Sequence, residues 1–196
     1  MRSRRLLIVY GTGHEQTARI ARRMTELLTE SGHVVMCVNA NALPRDVAPR
    51  QLAGVIIGAT TRFGRHQRGA SSFVRAHRAA LTAMPSACFS ASGSAASAVE
   101  AERARARQLV DEFLRDAGWR SVLAEAVAGA MAYTRYRPLV RWLAKRETRK
   151  AGGPTATTRD HEYTDWTQVR RSTEAFAAMA PRPGGTEPAI LADARR

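Results

Sequence analysis

The chain has 196 residues, 44% of them hydrophobic, enough for one domain with a sizeable core plus an appendage. A net charge of +14 draws such a chain to polyanions: nucleic acid, anionic lipid headgroups or an acidic substrate. No apolar run approaches the roughly 20 residues of a membrane-spanning helix, Cys37 and Cys88 lie in apolar runs that read as buried free thiols, and no Cys/His cluster has metal-ligand spacing.

The basic start Met1-Arg2-Ser3-Arg4-Arg5 resembles the opening of a signal peptide, but the apolar run that follows ends at Tyr10 and is too short for one. Leu6 to Tyr10 therefore reads as a strand buried on both faces, and the chain as cytoplasmic. The strand turns through Gly11-Thr12-Gly13-His14-Glu15-Gln16-Thr17 into an amphipathic helix with Ile20, Met24, Leu27 and Leu28 on one stripe, ended by Ser31-Gly32. The first N–H groups of such a helix lack partners and carry the positive end of its dipole, so an anion is stabilised there, with hydroxyls from Thr12 and Thr17. The same residues also suit an ordinary βα turn capped by either threonine that binds nothing.

Further along, His33 to Val38 reads as a second strand, Asn39 to Pro44 as a loop, and Gly54 to Ala59 as a third strand followed by the loop Thr60 to Gly64. Ser71 to Leu81 reads as a helix with Phe73, Val74, His77 and Leu81 on one side. A short fourth strand, Ser86 to Ser90, leads into a flexible loop, Ala91 to Ser97. A helix over Val99 to Ala117 turns Leu109, Val110, Phe113 and Leu114 inward, and Val122 to Met131 is a fifth strand. Nearly all-apolar strands alternating with helices predict an α/β fold, a parallel sheet covered on both faces.

Ligands of such sheets bind beyond the carboxyl ends of the strands. Three loops rich in Gly, Ser and Thr fall there: Gly11 to Thr17, Thr60 to Gly64 and Ser90 to Ser97. A dinucleotide site is disfavoured, because Gln16 stands where a third glycine belongs and the second strand ends in Asn39 instead of an acid. A Walker A lysine is also absent, and a monophosphate held by hydroxyls suits FMN best.

From Ala132 the alternation breaks into Tyr133-Thr134-Arg135-Tyr136-Arg137-Pro138, then an apolar line of Tyr136, Leu139, Val140 and Leu143 beside a basic line of Arg137, Arg141 and Lys145, stopped by Gly152-Gly153-Pro154. Such a helix either lies in a membrane interface or packs on the domain with a solvated arginine face. No nucleic-acid-binding motif accompanies it, so nucleic acid is not an expected partner. Thr155 to Tyr163 reads as a polar loop, and a last helix runs to about Met179 with Thr164 or Asp165 as N-cap and Val169, Thr173 and Phe176 inward. Residues 1–180 are thus expected to form one domain with an insert at about 132–162, followed by a disordered Pro/Gly-rich tail at 181–196.

The element order and the loop Gly11 to Ala18 resemble the flavodoxin fold, with a five-stranded parallel sheet in the order 2-1-3-4-5. More narrowly, the chain is similar to the flavodoxin-type, menaquinone-dependent protoporphyrinogen IX oxidases. The matching segments are Gln16-Thr17 with Ile20-Ala21, Ile57-Gly58-Ala59 with Arg62-Phe63-Gly64, Met84 to Ala87, and Ala128-Gly129-Ala130. Beyond them lie Tyr133 with Arg135-Tyr136-Arg137, Gly152-Gly153 with Thr157, and Tyr163-Thr164-Asp165-Trp166 with Gln168-Val169, the group that ordinary flavodoxins lack. The resemblance departs at Glu15, where the family carries Gly, and in the loop Ala91 to Ser97.

This resemblance implies FMN with its phosphate on Thr12, Gly13, His14, Gln16 and Thr17. Its ring would lie near Thr60, Thr61, Arg62, Phe63 and Gly64 and near Ser90, Ala91, Ser92 and Gly93. Protoporphyrinogen IX would be oxidised in haem biosynthesis, and a membrane quinone such as menaquinone would take the electrons. Tyr133, Arg135, Tyr136, Arg137 and Arg141 would face the substrate's propionates or an anionic membrane at the inner face of the cell membrane. No general acid or base and no metal is implied. Two other readings stand beside this one. A soluble electron carrier fits poorly, since such carriers are acidic, and a flavin-free basic domain that binds a partner or membrane surface is favoured by Glu15.

Overall fold

The computed structural model describes residues 5–11, 15–43, 47, 52–62, 65–66, 68–97, 99–131 and 161–181. Strand β1 (Arg5–Tyr10) is followed by α1 (Glu15–Glu30), β2 (Val35–Asn39) and a 3₁₀ turn at Ala40–Ala42. Next come β3 (Leu52–Arg62), β4 (Arg65–His66), α2 (Arg68–Thr82), β5 (Ser86–Ser92), a 3₁₀ turn at Ser94–Ala96 and α3 (Glu100–Ala117). The chain continues through β6 (Leu123–Ala128), β7 (Ala130–Met131), β8 (His161–Glu162) and α4 (Trp166–Met179).

The main sheet runs β2-β1-β3-β5-β6, all parallel, which is the expected 2-1-3-4-5 order of its five long strands. The all-apolar strands are explained by the layers on either side. Leu6, Ile8, Ile56 and Phe89 face α1 and α4 through Ile20, Met24, Leu28, Val169 and Phe176. Leu7, Val9, Val55 and Ile57 face α2 and α3 through Phe73, Val74, Leu81, Val110 and Phe113. Fully burying one such aliphatic side chain contributes about 1.5–3 kcal/mol, so these two layers set the strand positions. The inward stripes expected for α1 and α4 are buried throughout. In α2, His77 is only half-buried and stacks on Phe73, ring centroids 4.7 Å apart. In α3, Leu114 is half-buried as well.

Several boundaries differ from expectation, those of the strands because of their neighbours in the sheets. The stretch Thr60 to Gly64 is not a loop from its start. β3 runs on through Arg62 and returns as an antiparallel hairpin, Thr61 opposite His66 and Arg62 opposite Arg65, because its last parallel pairing is Thr60 with Ala91. β5 reaches Ser92, since β6 supplies a partner for each residue from Ala87 to Ser92. Ala91 to Ser97 is therefore not one flexible loop but strand followed by a 3₁₀ turn. The fifth strand of the sheet stops at Ala128; Gly129 donates to the Ser92 carbonyl at 2.9 Å, and Ala130–Met131 pairs instead with His161–Glu162. That pairing also converts part of the expected loop Thr155 to Tyr163 into strand. α2 begins at Arg68, before Ser71.

Cys88 is buried and free, and burial pushes its thiol pKa up to about 12. Cys37 is only half-buried, not buried; burial still raises its pKa and outweighs the Thr25 hydrogen bond and the Arg22 charge. Among the described residues no helix is long and apolar enough to cross a membrane.

Candidate functional site

β1, β3 and β5 are neighbours in the sheet, so the three stretches singled out in the sequence leave it side by side at its carboxyl edge. Gly11 extends β1 by one residue, donating to the Gly58 carbonyl at 2.8 Å. It packs against the first turn of α2: a Cβ there would lie 2.7 Å from the Ala70 backbone nitrogen, so no larger residue fits. Thr12, Gly13 and His14 lie outside the described residues.

α1 opens with Glu15, Gln16 and Thr17. Their backbone N–H groups belong to the first turn of a helix, which has no intrahelical acceptors. Glu15 is exposed, while Gln16 and Thr17 turn inward at 7% and 1% exposure. The carboxylate therefore stands on the solvent side of the turn, where an acid also complements the helix dipole. The Thr17 hydroxyl oxygen is buried and has no hydrogen-bond partner among the described residues. A buried hydroxyl left unpaired costs about 1–3 kcal/mol, and this one sits where the helix presents its positive end. A phosphate oxygen would satisfy it, so the residues present fit the phosphate of a mononucleotide.

The other two stretches are held firmly. The buried Thr60 hydroxyl donates to the Ala91 carbonyl at 3.1 Å and fastens the ends of β3 and β5 together. The backbone of Thr61 and Arg62 continues β3, and Phe63 and Gly64 lie outside the described residues. Ser90, Ala91 and Ser92 are buried and Gly93 is exposed. The Ser92 hydroxyl accepts from Ala95 N at 3.3 Å, and Arg103 donates to the Ser97 carbonyl at 2.6 Å, which shapes the turn that follows.

Gln16, expected at the cofactor's phosphate, opens α1 with its backbone while its side-chain amide donates to the Thr164 hydroxyl at 2.6 Å. Thr164 in turn donates to the Ala128 carbonyl at 3.0 Å. Arg19 donates to Gln16 Oε1 at 3.3 Å and lies 5.9 Å from the centre of the Trp166 ring. Asp165, not Thr164, caps α4, accepting from Thr167 N and Gln168 N. Gln168 donates to Glu125 at 2.9 Å. Thr164 and Gln168 thus join the start of α4 to α1 and β6, while Asp165 caps the helix itself. Spacing gave no sign of the Gln16–Thr164 contact, which spans 148 positions. Tyr133, Arg135, Tyr136, Arg137 and Arg141 lie outside the described residues, but the pairing of β7 with β8 shows that the chain returns after them to the point where it left.

A parallel sheet in this order, with a helix N-terminus and a buried unpaired hydroxyl at its carboxyl edge, defines a flavodoxin-type α/β protein. A flavodoxin-domain family profile matches residues 7–158, and the chain belongs to that family. It is 30% identical over 177 residues to the protoporphyrinogen IX dehydrogenase (quinone) of Escherichia coli strain K12, covering 90% of this chain and 97% of that protein. To the protein of the same name from Leishmania major it is 31% identical over 189 residues, covering 92% of this chain and 80% of that one. These relatives are quinone-linked dehydrogenases by name, and the chain is an oxidoreductase of their kind. Among solved structures, oxidised flavodoxin 1 from Bacillus cereus superposes with a TM-score of 0.55 at 14% identity, covering 90% of this chain and 99% of that one. An archaeal flavodoxin gives 0.51 at 15% identity, covering 89% and 96%. These two show the fold.

Proposed function

We propose that the chain oxidises protoporphyrinogen IX to protoporphyrin IX with bound FMN and passes the electrons to a membrane quinone of the menaquinone kind, as a step of haem biosynthesis. The observation that carries the cofactor is the buried Thr17 hydroxyl at the start of α1, which has no hydrogen-bond partner among the described residues. The names of the relatives support the substrate and the acceptor class. When bound, FMN supplies the acceptance of hydride equivalents from the porphyrinogen and their delivery to the quinone.

The chain's own residues bind and orient. The Thr17 hydroxyl and the first-turn N–H groups of α1 donate to the phosphate, and Thr12, Gly13 and His14 are assigned to the same phosphate on sequence alone. Thr60 to Gly64 and Ser90 to Gly93 flank the ring. The bonds of Thr60 and Ser92 hold these walls before the ligand arrives, which lowers the ordering cost of binding. No side chain is assigned as a general acid or base.

Residues 132–160 contain eight Lys/Arg against two acids. The β7–β8 pairing joins the described residues that flank this stretch, Ala130–Met131 and His161–Glu162, just past the carboxyl end of β6. Arg135, Arg137 and Arg141, with Tyr133 and Tyr136, are thereby suited to the two propionates of the substrate and to anionic lipid at the inner face of the cell membrane.

The test is anaerobic. Protoporphyrinogen IX added to the FMN-loaded chain is expected to bleach the flavin band, and a menaquinone analogue to restore it. A flavin band unchanged by the porphyrinogen under these conditions overturns the substrate assignment.

A further inference from the structure

We propose that Thr164 is a positioning residue for the cofactor's phosphate, acting through Gln16; the proposal rests on the FMN reading above. Thr164 lies 148 positions from Gln16 in the chain, yet its hydroxyl oxygen accepts from the Gln16 side-chain amide at 2.6 Å. The same hydroxyl donates to the Ala128 carbonyl at 3.0 Å. Its two neighbours are therefore the last residue of β6 and the second residue of α1. Two residues before Thr164 the β7–β8 ladder ends at Glu162, and two residues after Ala128 the same ladder begins at Ala130. Thr164 thus ties the neck of the insert to the turn that holds the phosphate.

The mechanical consequence falls on Thr17. Gln16 is nine-tenths buried and directly precedes it, and Arg19 holds the other end of the Gln16 amide at 3.3 Å. With both ends of that amide fixed, the first turn of α1 keeps one orientation, and the Thr17 hydroxyl is aimed before any ligand binds. Removing the Thr164 hydroxyl takes away the acceptor of the Gln16 amide N–H and the donor to the Ala128 carbonyl. The amide then loses its tie to the end of β6, and the first turn of α1 loses that restraint.

Because Thr164 acts in this proposal through Gln16 on the phosphate end alone, its effect separates from general loosening by the choice of ligand. FMN and riboflavin share the ring and differ in the phosphate. Titration of the flavin-stripped chain, read by flavin fluorescence, is expected to show Thr164→Val binding FMN roughly tenfold more weakly, with riboflavin affinity unchanged. Thr164→Ser, which keeps the hydroxyl, restores FMN affinity. Gln16→Met breaks the same link from the other side. It is expected to give the same FMN-selective loss, and the double variant no more than either single one, since both remove one interaction. Gln16→Met also carries the test should the valine variant fail to fold.

Unchanged FMN affinity in the variants overturns the proposal, and so does an equal loss of FMN and riboflavin, which marks Thr164 as a structural residue only. A wild-type chain that binds neither flavin overturns the FMN reading itself and this proposal with it, an outcome distinct from the other two.

Discussion

Thr17 combines near-complete burial with a hydroxyl that makes no hydrogen bond among the described residues, and these two properties pull in opposite directions. Without ligand the hydroxyl is a desolvated group with no partner among the described residues; with a phosphate present it would be a donor in a water-poor site. Thr17→Val keeps the shape and removes the hydroxyl. It is expected to raise the melting temperature of the flavin-free chain by about 2–4 °C, the equivalent of about 1 kcal/mol, and to weaken FMN binding roughly tenfold. A fall in melting temperature with unchanged FMN affinity contradicts this.

Cys88 gives a residue-scale prediction in pH. Its folded pKa of about 12 lies above its ordinary value of 9.0, so its contribution to stability is complete below about pH 9 and is lost as pH rises toward 12. The loss is about 1 kcal/mol per pH unit. Denaturant unfolding at about pH 8 and about pH 10 should therefore show a steeper loss in the wild type than in Cys88→Ala; equal slopes contradict it. At this scale the sequence pointed to Thr17, because a hydroxyl at a helix start has few uses. It could not point to the partner of Gln16, because a glutamine carries no mark of which distant hydroxyl it will meet.

At the scale of elements, α4 is the piece that distinguishes this chain's motif set, and its contributions divide cleanly. Asp165 accepts from Thr167 N and Gln168 N and satisfies two N–H groups of the first turn, so Asp165→Ala is expected to cost roughly 1 kcal/mol of stability. Phe176 is 1% exposed in the layer between α1 and the sheet, so Phe176→Ala is expected to cost about 3–5 kcal/mol. Urea unfolding measures both; a larger loss for the cap than for the core phenylalanine contradicts the assignment.

Helices of this kind were legible because Val169, Thr173 and Phe176 recur at helical spacing, as do Ile20, Met24, Leu27 and Leu28. Strand ends were not. β3 overran the expected loop to reach Arg62, and β6 stopped at Ala128, because a strand ends where its neighbour stops offering partners. That neighbour is chosen by the whole sheet, and local pattern does not encode it.

For the whole molecule, the charge is unevenly placed along the chain. Several arginines of α1 and α3 meet acids on their own helix: Arg23 lies 2.7 Å from Glu26, Arg105 lies 2.6 Å from Glu112, and Arg103 and Arg107 share Glu100. Exposed pairs of this kind contribute little to stability, but they neutralise the faces that carry them. Residues 132–160 hold eight Lys/Arg and only two acids, so much of the excess sits in that stretch of the sequence. Replacing Arg135, Arg137 and Arg141 together by Glu is expected to release the chain from vesicles rich in anionic lipid while leaving its FMN affinity within about twofold; vesicle binding that survives the replacement contradicts the membrane assignment.

The parallel sheet was readable from the alternation of apolar strands and helices. The meeting of the insert's two ends was not, since a two-residue ladder between Ala130–Met131 and His161–Glu162 leaves no periodic trace. Whether the turn after β1 holds a flavin mononucleotide is read most directly by titrating the purified chain with FMN and following the visible spectrum. Saturable binding of one FMN per chain, with a protein-bound band at about 450 nm that persists on gel filtration, is the expected result. A chain that emerges colourless and leaves all added FMN free contradicts it.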